Sequence, residues 1–231
     1  MTSLDGVRAL TFDLFGTVLD LDGSLVPPLA RFFGERGAGV DAAVFWAQWR
    51  ARQRIEQYQD TILMLGHSGY LETCRRALRY TLRLNGIGVD DGTDDAIMAF
   101  WQDLSPYPEV LDALARLTPR YDLVALSNGN AHFLEHLATN RIGWDFDAVI
   151  SVGEVGAFKP HPAVYRHAAK TLGLEPAQCL MVSANSFDVL GARACGYRAA
   201  FVNRRDMPYE DSPLQPDLTV PTFTELADAL L

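Results

Sequence analysis

Short, largely apolar runs rich in β-branched residues alternate with stretches of helical periodicity along most of this chain. VRALTFD (7–13), DLVALS (122–127), AVISV (148–152), CLMVS (179–183), RAAFVN (198–203) and, more weakly, residues 217–220 read as buried strands. Between them, residues 108–118, 130–139, 162–173 and 186–196 repeat apolar positions at helical spacing, as do 223–231. Strands that are apolar throughout and separated by helices predict a Rossmann-like α/β core, a doubly wound parallel sheet with helices on both faces. Residues 21 to 100 carry no strand signal. Amphipathic patterns at 26–37, 41–58, 68–84 and 93–103, broken by turns at 66–69 and 85–92, predict a helical lobe inserted after the first strand. The expected organisation is a core of 1–20 plus 101–231 and a helical cap of 21–100.

Composition narrows the function classes. A chain of 231 residues can bury one core and a small lobe, and 48% hydrophobic with 21% charged residues is ordinary for a soluble globular protein. No stretch approaches the ~18 apolar residues of a membrane helix. The opening MTSLDGVRAL lacks the basic start and apolar core of an export signal. Cys74, Cys179 and Cys195 match no metal or CxxC spacing and read as buried, reduced thiols, which points to the cytoplasm. A formal charge of −9 argues against a nucleic-acid groove. Among the 20 basic residues only Lys159 and Lys170 are lysine, so each invites a specific reason.

In open parallel sheets ligands bind beyond the carboxyl ends of the strands. Four such ends are polar here: Asp13 to Thr17, Ser127-Asn128-Gly129, Lys159 in the loop after AVISV, and Ser183 to Asp188. Each has a plain structural alternative. Asp13 could cap a turn with Gly16 supplying positive φ, Ser-Asn-Gly is a common turn, and a lysine before proline is commonly a surface residue. Asp188 could cap the helix that begins at 186, and Tyr165 could be a packed helix tyrosine. His67, His132, His136, His161 and His167 show no ligand or nucleophile spacing beyond His132 and His136 at i, i+4, and read as surface residues.

FDLFGT (12–17), LSNG (126–129), Lys159-Pro160 and SANSFD (183–188), in this order and at these strand ends, resemble the motifs of the haloacid dehalogenase superfamily over essentially the whole chain. Most members are magnesium-dependent phosphatases with DxDGT in the first motif and GDxxxD in the fourth. Here Phe15 and Ala184 replace two of those acids. These departures are similar to one subgroup, the L-2-haloacid dehalogenases, which use neither metal nor cofactor. That subgroup carries an aromatic residue before Gly-Thr, as Phe15 does, and SSNxWD in the fourth motif. It has a tyrosine six residues after the lysine, as Tyr165 follows Lys159, and a WRxKQ-like cap segment resembling Trp49-Arg50-Ala51-Arg52-Gln53.

The resemblance implies hydrolysis of small (S)-2-haloalkanoic acids to 2-hydroxy acids through an ester on Asp13, with inversion at C2. Burial disfavours a charged carboxylate, so Lys159 is expected as the counter-ion of Asp13. Arg50 is expected to stabilise the departing halide with Asn128. Ser127 and backbone N–H groups of the Leu14–Phe15 turn would hold the substrate carboxylate. Asp188 would orient or deprotonate the hydrolytic water, with Ser183, Asn185, Lys159 and Tyr165 around it, and Thr17 would hydrogen-bond the nucleophile. Phe15, Tyr70 and Phe187 would wall off bulk water, while Arg52 and Arg54 are expected on a solvated helix face. Halo acid and water are the expected partners, with a homodimer implied and no membrane or nucleic acid. The alternatives are an Asp13-ester hydrolase acting on another leaving group, such as the ring nitrogen of a strained cyclic amino acid, then a phosphatase, then a catalytically silent binding protein.

Overall fold

Six apolar runs form one parallel sheet in the computed structural model, which describes residues 4–231 apart from the side chain of Asp91. In chain order the strands are β1 (Ala9–Phe12), β2 (Leu19–Asp20), β3 (Ser105–Pro106), β4 (Asp122–Ser127), β5 (Ala148–Ser151), β6 (Cys179–Ser183), β7 (Arg198–Val202) and β8 (Leu218–Val220). The sheet order is β5-β4-β1-β6-β7-β8, parallel throughout. All four residues of β1 are buried, as a central strand covered on both faces requires. Winding reverses at β1, with β4 on one side and β6 on the other, and such a switch point leaves a crevice at the strand ends. Phe12 lies opposite Ala125 and Val182, so Asp13 emerges level with Leu126 and Ser183.

The chain divides into two compact units, Met1–Leu19 with Pro106–Leu231, and Asp20–Ser105. The second unit is helical: α1 (Leu21–Glu35), α2 (Ala42–Ile62), α3 (Tyr70–Leu84) and α4 (Asp91–Met98), followed by a 3-10 turn over Ala99–Asp103. The sequence pattern places the first helix at 26–37, yet α1 begins five residues earlier. Asp20 caps it by accepting from Gly23 N, and Pro27 and Pro28 lie inside it. Those prolines cannot donate to the carbonyls of Gly23 and Ser24. The helix persists because Leu21, Leu25, Leu29, Phe32 and Phe33 are buried along one side.

In the sheet-bearing unit α5 (Val110–Leu117), α6 (Ala131–His136), α7 (Pro162–Leu172), α8 (Ser186–Ala194) and α9 (Phe223–Leu230) connect or cover the strands. The helix expected over 130–139 instead passes from α6 into a π-helical turn over Leu137–Ile142, ended by Gly143 at φ 71°. All three thiols are free. Cys74 and Cys179 are buried, but Cys195 is only partly so, because it follows the last turn of α8. His132 and His161 are exposed as expected, whereas His67, His136 and His167 are half-buried. Among the described residues no helix is long and apolar enough to cross a membrane.

Candidate active site

Asp13 is the first residue beyond β1, and its N–H still donates to Val182 O at 3.0 Å, so the backbone that carries it is fixed by the sheet. Gly16 then takes φ 89°, the left-handed turn that lets the chain fold back towards Leu19. This returns Thr17 to the carboxylate: its Oγ1 donates to Asp13 Oδ2 at 2.8 Å and accepts from Ala184 N at 2.9 Å. Asn185 Nδ2 donates to the same Oδ2 at 2.9 Å and to the carbonyl of Phe15 at 3.3 Å. Two donors on one oxygen orient a carboxylate that is 5% exposed.

Lys159 is not a surface residue; it is 1% exposed. Its Nζ donates to Leu126 O at 2.5 Å and Asp188 Oδ2 at 3.0 Å, and lies 3.6 Å from Asp13 Oδ1. A buried ammonium is tolerated only with charge and hydrogen-bond compensation, and these three oxygens supply it. The Lys159 N–H donates to Asn128 Oδ1 at 2.9 Å, which ties the third polar strand end to the second.

Asp188 does not serve as the helix cap. The cap position of α8 is Asn185, and the Asp188 carboxylate turns to Lys159 and to Tyr165, whose hydroxyl donates to Oδ1 at 2.7 Å. Burial first, then the charge of Asp188, pushes the Tyr165 phenol well above its ordinary range, so it stays protonated and remains a donor. Tyr197 OH donates to Tyr165 O at 2.7 Å, with the rings edge-on 5.9 Å apart, which fixes the tyrosine from behind.

Ser127, at the end of β4, is fully buried, and its Oγ has no hydrogen-bond partner among the described residues. A buried hydroxyl without a partner carries a desolvation cost of ~1–3 kcal/mol that an incoming acceptor would relieve. Ser183 Oγ accepts from Asn185 N at 3.1 Å, so this serine shapes the turn that delivers Asn185 to Asp13. Leu14 is buried and its carbonyl accepts from Thr17 and Leu19. Phe15 stacks on Phe133 at 6.0 Å, and Phe187 is half-buried on α8.

The helical unit holds the remaining candidates. Arg50 Nη1 donates to Gln53 Oε1 at 2.7 Å and to Tyr70 OH at 3.3 Å. Gln53 Nε2 donates in turn to Cys74 Sγ at 2.7 Å, and Tyr70 packs edge-on against Trp101 with ring centroids 5.5 Å apart. Trp46, Trp49 and Trp101 pack edge-on against one another, so the Tyr70 that accepts from Arg50 is itself held by an aromatic cluster. The solvated face expected for Arg52 and Arg54 is not fully open. Both are half-buried, Arg52 being paired with Glu56 at 2.6 Å and laid over the Tyr80 ring.

Asp13, Thr17, Lys159, Tyr165, Asn185 and Asp188 are thus joined in one hydrogen-bonded and ion-paired network. Sequence reasoning missed two contributors to it. Ser151 Oγ donates to Gly129 O at 2.6 Å and holds the turn after β4; nothing in its surroundings marks it in the sequence. Gly191 leaves room for the network: a Cβ there would lie 2.7 Å from the Tyr165 hydroxyl oxygen and 2.6 Å from Pro160 Cβ. A glycine inside a helical pattern was the available signal. The network offers a fixed carboxylate with a cation beside it, next to a second carboxylate able to handle a proton, an arrangement suited to nucleophilic catalysis followed by hydrolysis.

The haloacid dehalogenase-like hydrolase family matches residues 7–196. Haloacetate dehalogenase H-2 of Moraxella sp. (strain B) is 31% identical over 219 residues, covering 94% of this chain and 95% of that protein. An (S)-2-haloacid dehalogenase of Xanthobacter autotrophicus is 35% identical over 199 residues, 86% of this chain and 76% of the relative. The structure of L-2-haloacid dehalogenase from Xanthobacter autotrophicus with chloropropionic acid covalently bound is similar with a TM-score of 0.85 and 29% identity. It covers 97% of this chain and 98% of that one.

Proposed function

This chain belongs to the haloacid dehalogenase-like hydrolases, and from that premise we propose that it hydrolyses small (S)-2-haloalkanoic acids, haloacetate and 2-halopropionate among them, to 2-hydroxy acids. The observation that carries the reading is the Lys159 ammonium seated 3.6 Å from Asp13 and 3.0 Å from Asp188. Ala184 supplies no ligand where the magnesium-dependent members of the superfamily carry an acid, and Lys159 already pairs with both carboxylates. Among the described residues no group of three His, Cys, Asp or Glu side chains could hold a metal. The residues present do not fit a magnesium ion, and no step is assigned to one.

In the proposed reaction an Asp13 carboxylate oxygen attacks C2 opposite the halogen. The new C–O bond forms as the C–halogen bond breaks, and halide leaves with the electron pair. Thr17 and Asn185 hold the other oxygen still, and Lys159 balances the charge of the buried acid. Ser127 Oγ, which lacks a partner, takes the substrate carboxylate, with the Leu14–Phe15 turn beside it. Phe15 and Phe187 limit water, with Tyr70 proposed for the same part. Arg50, always charged and fixed by Gln53 and Tyr70, is proposed to neutralise the departing halide with Asn128. Water then attacks Cγ of the Asp13 ester while Asp188 accepts its proton. As the tetrahedral species collapses, the bond from Cγ to the C2 oxygen breaks, and that oxygen takes the proton back from Asp188 and leaves as the hydroxy acid, inverted at C2. The Asp13 carboxyl loses its remaining proton to solvent and is restored. Tyr165 and Lys159 hold Asp188 for that step, and Ser183 holds Asn185.

We also propose that the protein is a cytoplasmic homodimer. The three free thiols suit a reducing compartment. Val44, Ile55, Ile62, Leu63, Met64 and Leu65 leave apolar surface exposed along and just beyond α2, which a second copy would cover.

Incubation with L-2-chloropropionate tests the function. Chloride and D-lactate should appear in a chelator, and one turnover in labelled water should place the heavy oxygen in Asp13. No chloride release, with cleavage of a cyclic amino acid or of an aryl phosphate instead, would refute the dehalogenase reading.

A further inference from the structure

Arg204 lies in the loop after β7, and no motif includes it. Its Nη1 donates to Glu109 Oε1 at 2.6 Å and its Nη2 to the carbonyl of Thr17 at 3.3 Å, while the guanidinium lies over the Tyr107 ring, 3.7 Å from its centroid. Phe223 stands on a further side at 5.5 Å. The partners come from two separated stretches. Thr17 and Val18 precede Leu19, where the chain leaves the sheet-bearing unit, and Tyr107 and Glu109 follow Pro106, where it returns. Tyr107 N donates to Val18 O at 3.0 Å, so the outgoing and returning strands already touch. Arg204 joins both from a third place in the chain.

We infer that Arg204 is a positioning residue for the nucleophile, acting through Thr17; this rests on the reading of Asp13 above. The Thr17 hydroxyl both donates to Asp13 and accepts from Ala184 N. Its backbone is tied on one side by a 3.3 Å bond from its N–H to Leu14 O, and on the other by Arg204. Threonine is stiff at χ1, so movement of the backbone carries the hydroxyl with it. Ion pairs in water contribute little, but Arg204 and Glu109 are 13% and 22% exposed, and the arginine is stacked as well as forked. Lysine, a point charge, can answer Glu109 yet cannot also cover the ring and reach Thr17 O.

The test uses the full chain with Arg204→Met, Arg204→Lys, Thr17→Val and the Arg204→Met/Thr17→Val pair, assayed for halide release from L-2-chloropropionate. Amide exchange is followed in peptides spanning Thr17–Val18 and Tyr107–Glu109. Arg204→Met should lower kcat by about tenfold or more with KM changed by less than about twofold. Arg204→Lys should recover little of that loss. In the Thr17→Val background, Arg204→Met should cost less than about a further twofold, because both changes act through one hydroxyl. Exchange should quicken in both peptides together. Additive losses, a rise in KM at unchanged kcat, full recovery by lysine, or unaltered exchange would each overturn the inference. Should Arg204→Met not fold, Glu109→Gln, which removes the charge facing the guanidinium, should move kcat and exchange in the same direction, and unchanged values would overturn it. Absence of halide release by the unaltered protein would strike at Asp13 itself, and exchange in the two peptides would then still decide whether Arg204 clamps them.

Discussion

Adding one methyl group at Gly191 should stall the proposed second step while sparing the first. In the native geometry a Cβ at 191 meets Tyr165 Oη at 2.7 Å, Tyr165 Cε2 at 2.9 Å and Pro160 Cβ at 2.6 Å, where ordinary contact begins at 3.4 Å. Relief therefore needs about 0.7 Å between Cβ and the tyrosine hydroxyl and about 0.8 Å between Cβ and Pro160, so α8 must move, with or without the tyrosine. Pro160 offers no flexible side chain to give way. The bond at stake runs from Tyr165 OH to Asp188 Oδ1 at 2.7 Å, and a shift of that size takes it out of good hydrogen-bonding range. Losing a hydrogen bond to a charged group costs ~1.5–3 kcal/mol, which corresponds to a roughly 10- to 150-fold lower rate if the bond is needed in the transition state. Alanine in a helix interior gains ~1 kcal/mol over glycine, so the stability lost to crowding should be partly offset. Rapid-quench mass spectrometry of Gly191→Ala should find ester formed on Asp13 at near the native rate, then accumulating as kcat falls. Unchanged kcat, or slowed ester formation with no accumulation, would refute the assignment of Tyr165 and Asp188 to ester hydrolysis.

Ser127→Ala should raise KM about 10-fold or more while raising thermal stability, by up to ~1–3 kcal/mol, because the buried hydroxyl carries a desolvation cost and has no partner to lose; steady-state kinetics and calorimetry check both. Asp13→Asn should abolish halide release with the circular dichroism spectrum retained. The Asp60 carboxyl lies below its ordinary 3.8: burial raises it, but hydrogen bonds from the Ser68 hydroxyl and N–H and from Arg76 outweigh that. The unfolded chain then takes up this proton first as acid is added. Asp60 therefore stabilises the folded protein above 3.8, and the contribution fades as pH falls from there through the lowered folded value. Thermal unfolding should be less acid-sensitive in that window for Asp60→Asn, and an unaltered slope would contradict the assignment. Leu63→Asp with Leu65→Asp should shift sedimentation from dimer to monomer; an unchanged distribution would dismiss that surface as the interface.

The alternation of runs such as DLVALS and CLMVS with helical periods determined the parallel sheet by itself, because a strand buried on both faces must be apolar throughout. Chain order and the strand-end rule likewise make Asp13, Ser127, Lys159 and Asp188 candidates from the sequence alone. What local pattern could not carry were the relations made by packing. The start of α1 ahead of Pro27 and Pro28 follows from leucines and phenylalanines buried at a distance in the chain, which outweigh the local proline signal. The burial of Lys159, the turning of Asp188 from helix cap to ion partner, and the lone hydroxyl of Ser127 depend on the sheet bringing together residues as far apart in the chain as Lys159 and Asp188, 29 residues, or Asp13 and Asn185, 172 residues. Ser151 and Arg204 act through backbone oxygens, which leave no mark on residue type, and Gly191 acts through empty space, which a glycine inside a helical pattern signals without saying what fills it. Sequence specifies which groups can do chemistry; only the folded chain decides which of them face one another, since distance, burial and charge balance are properties of pairs.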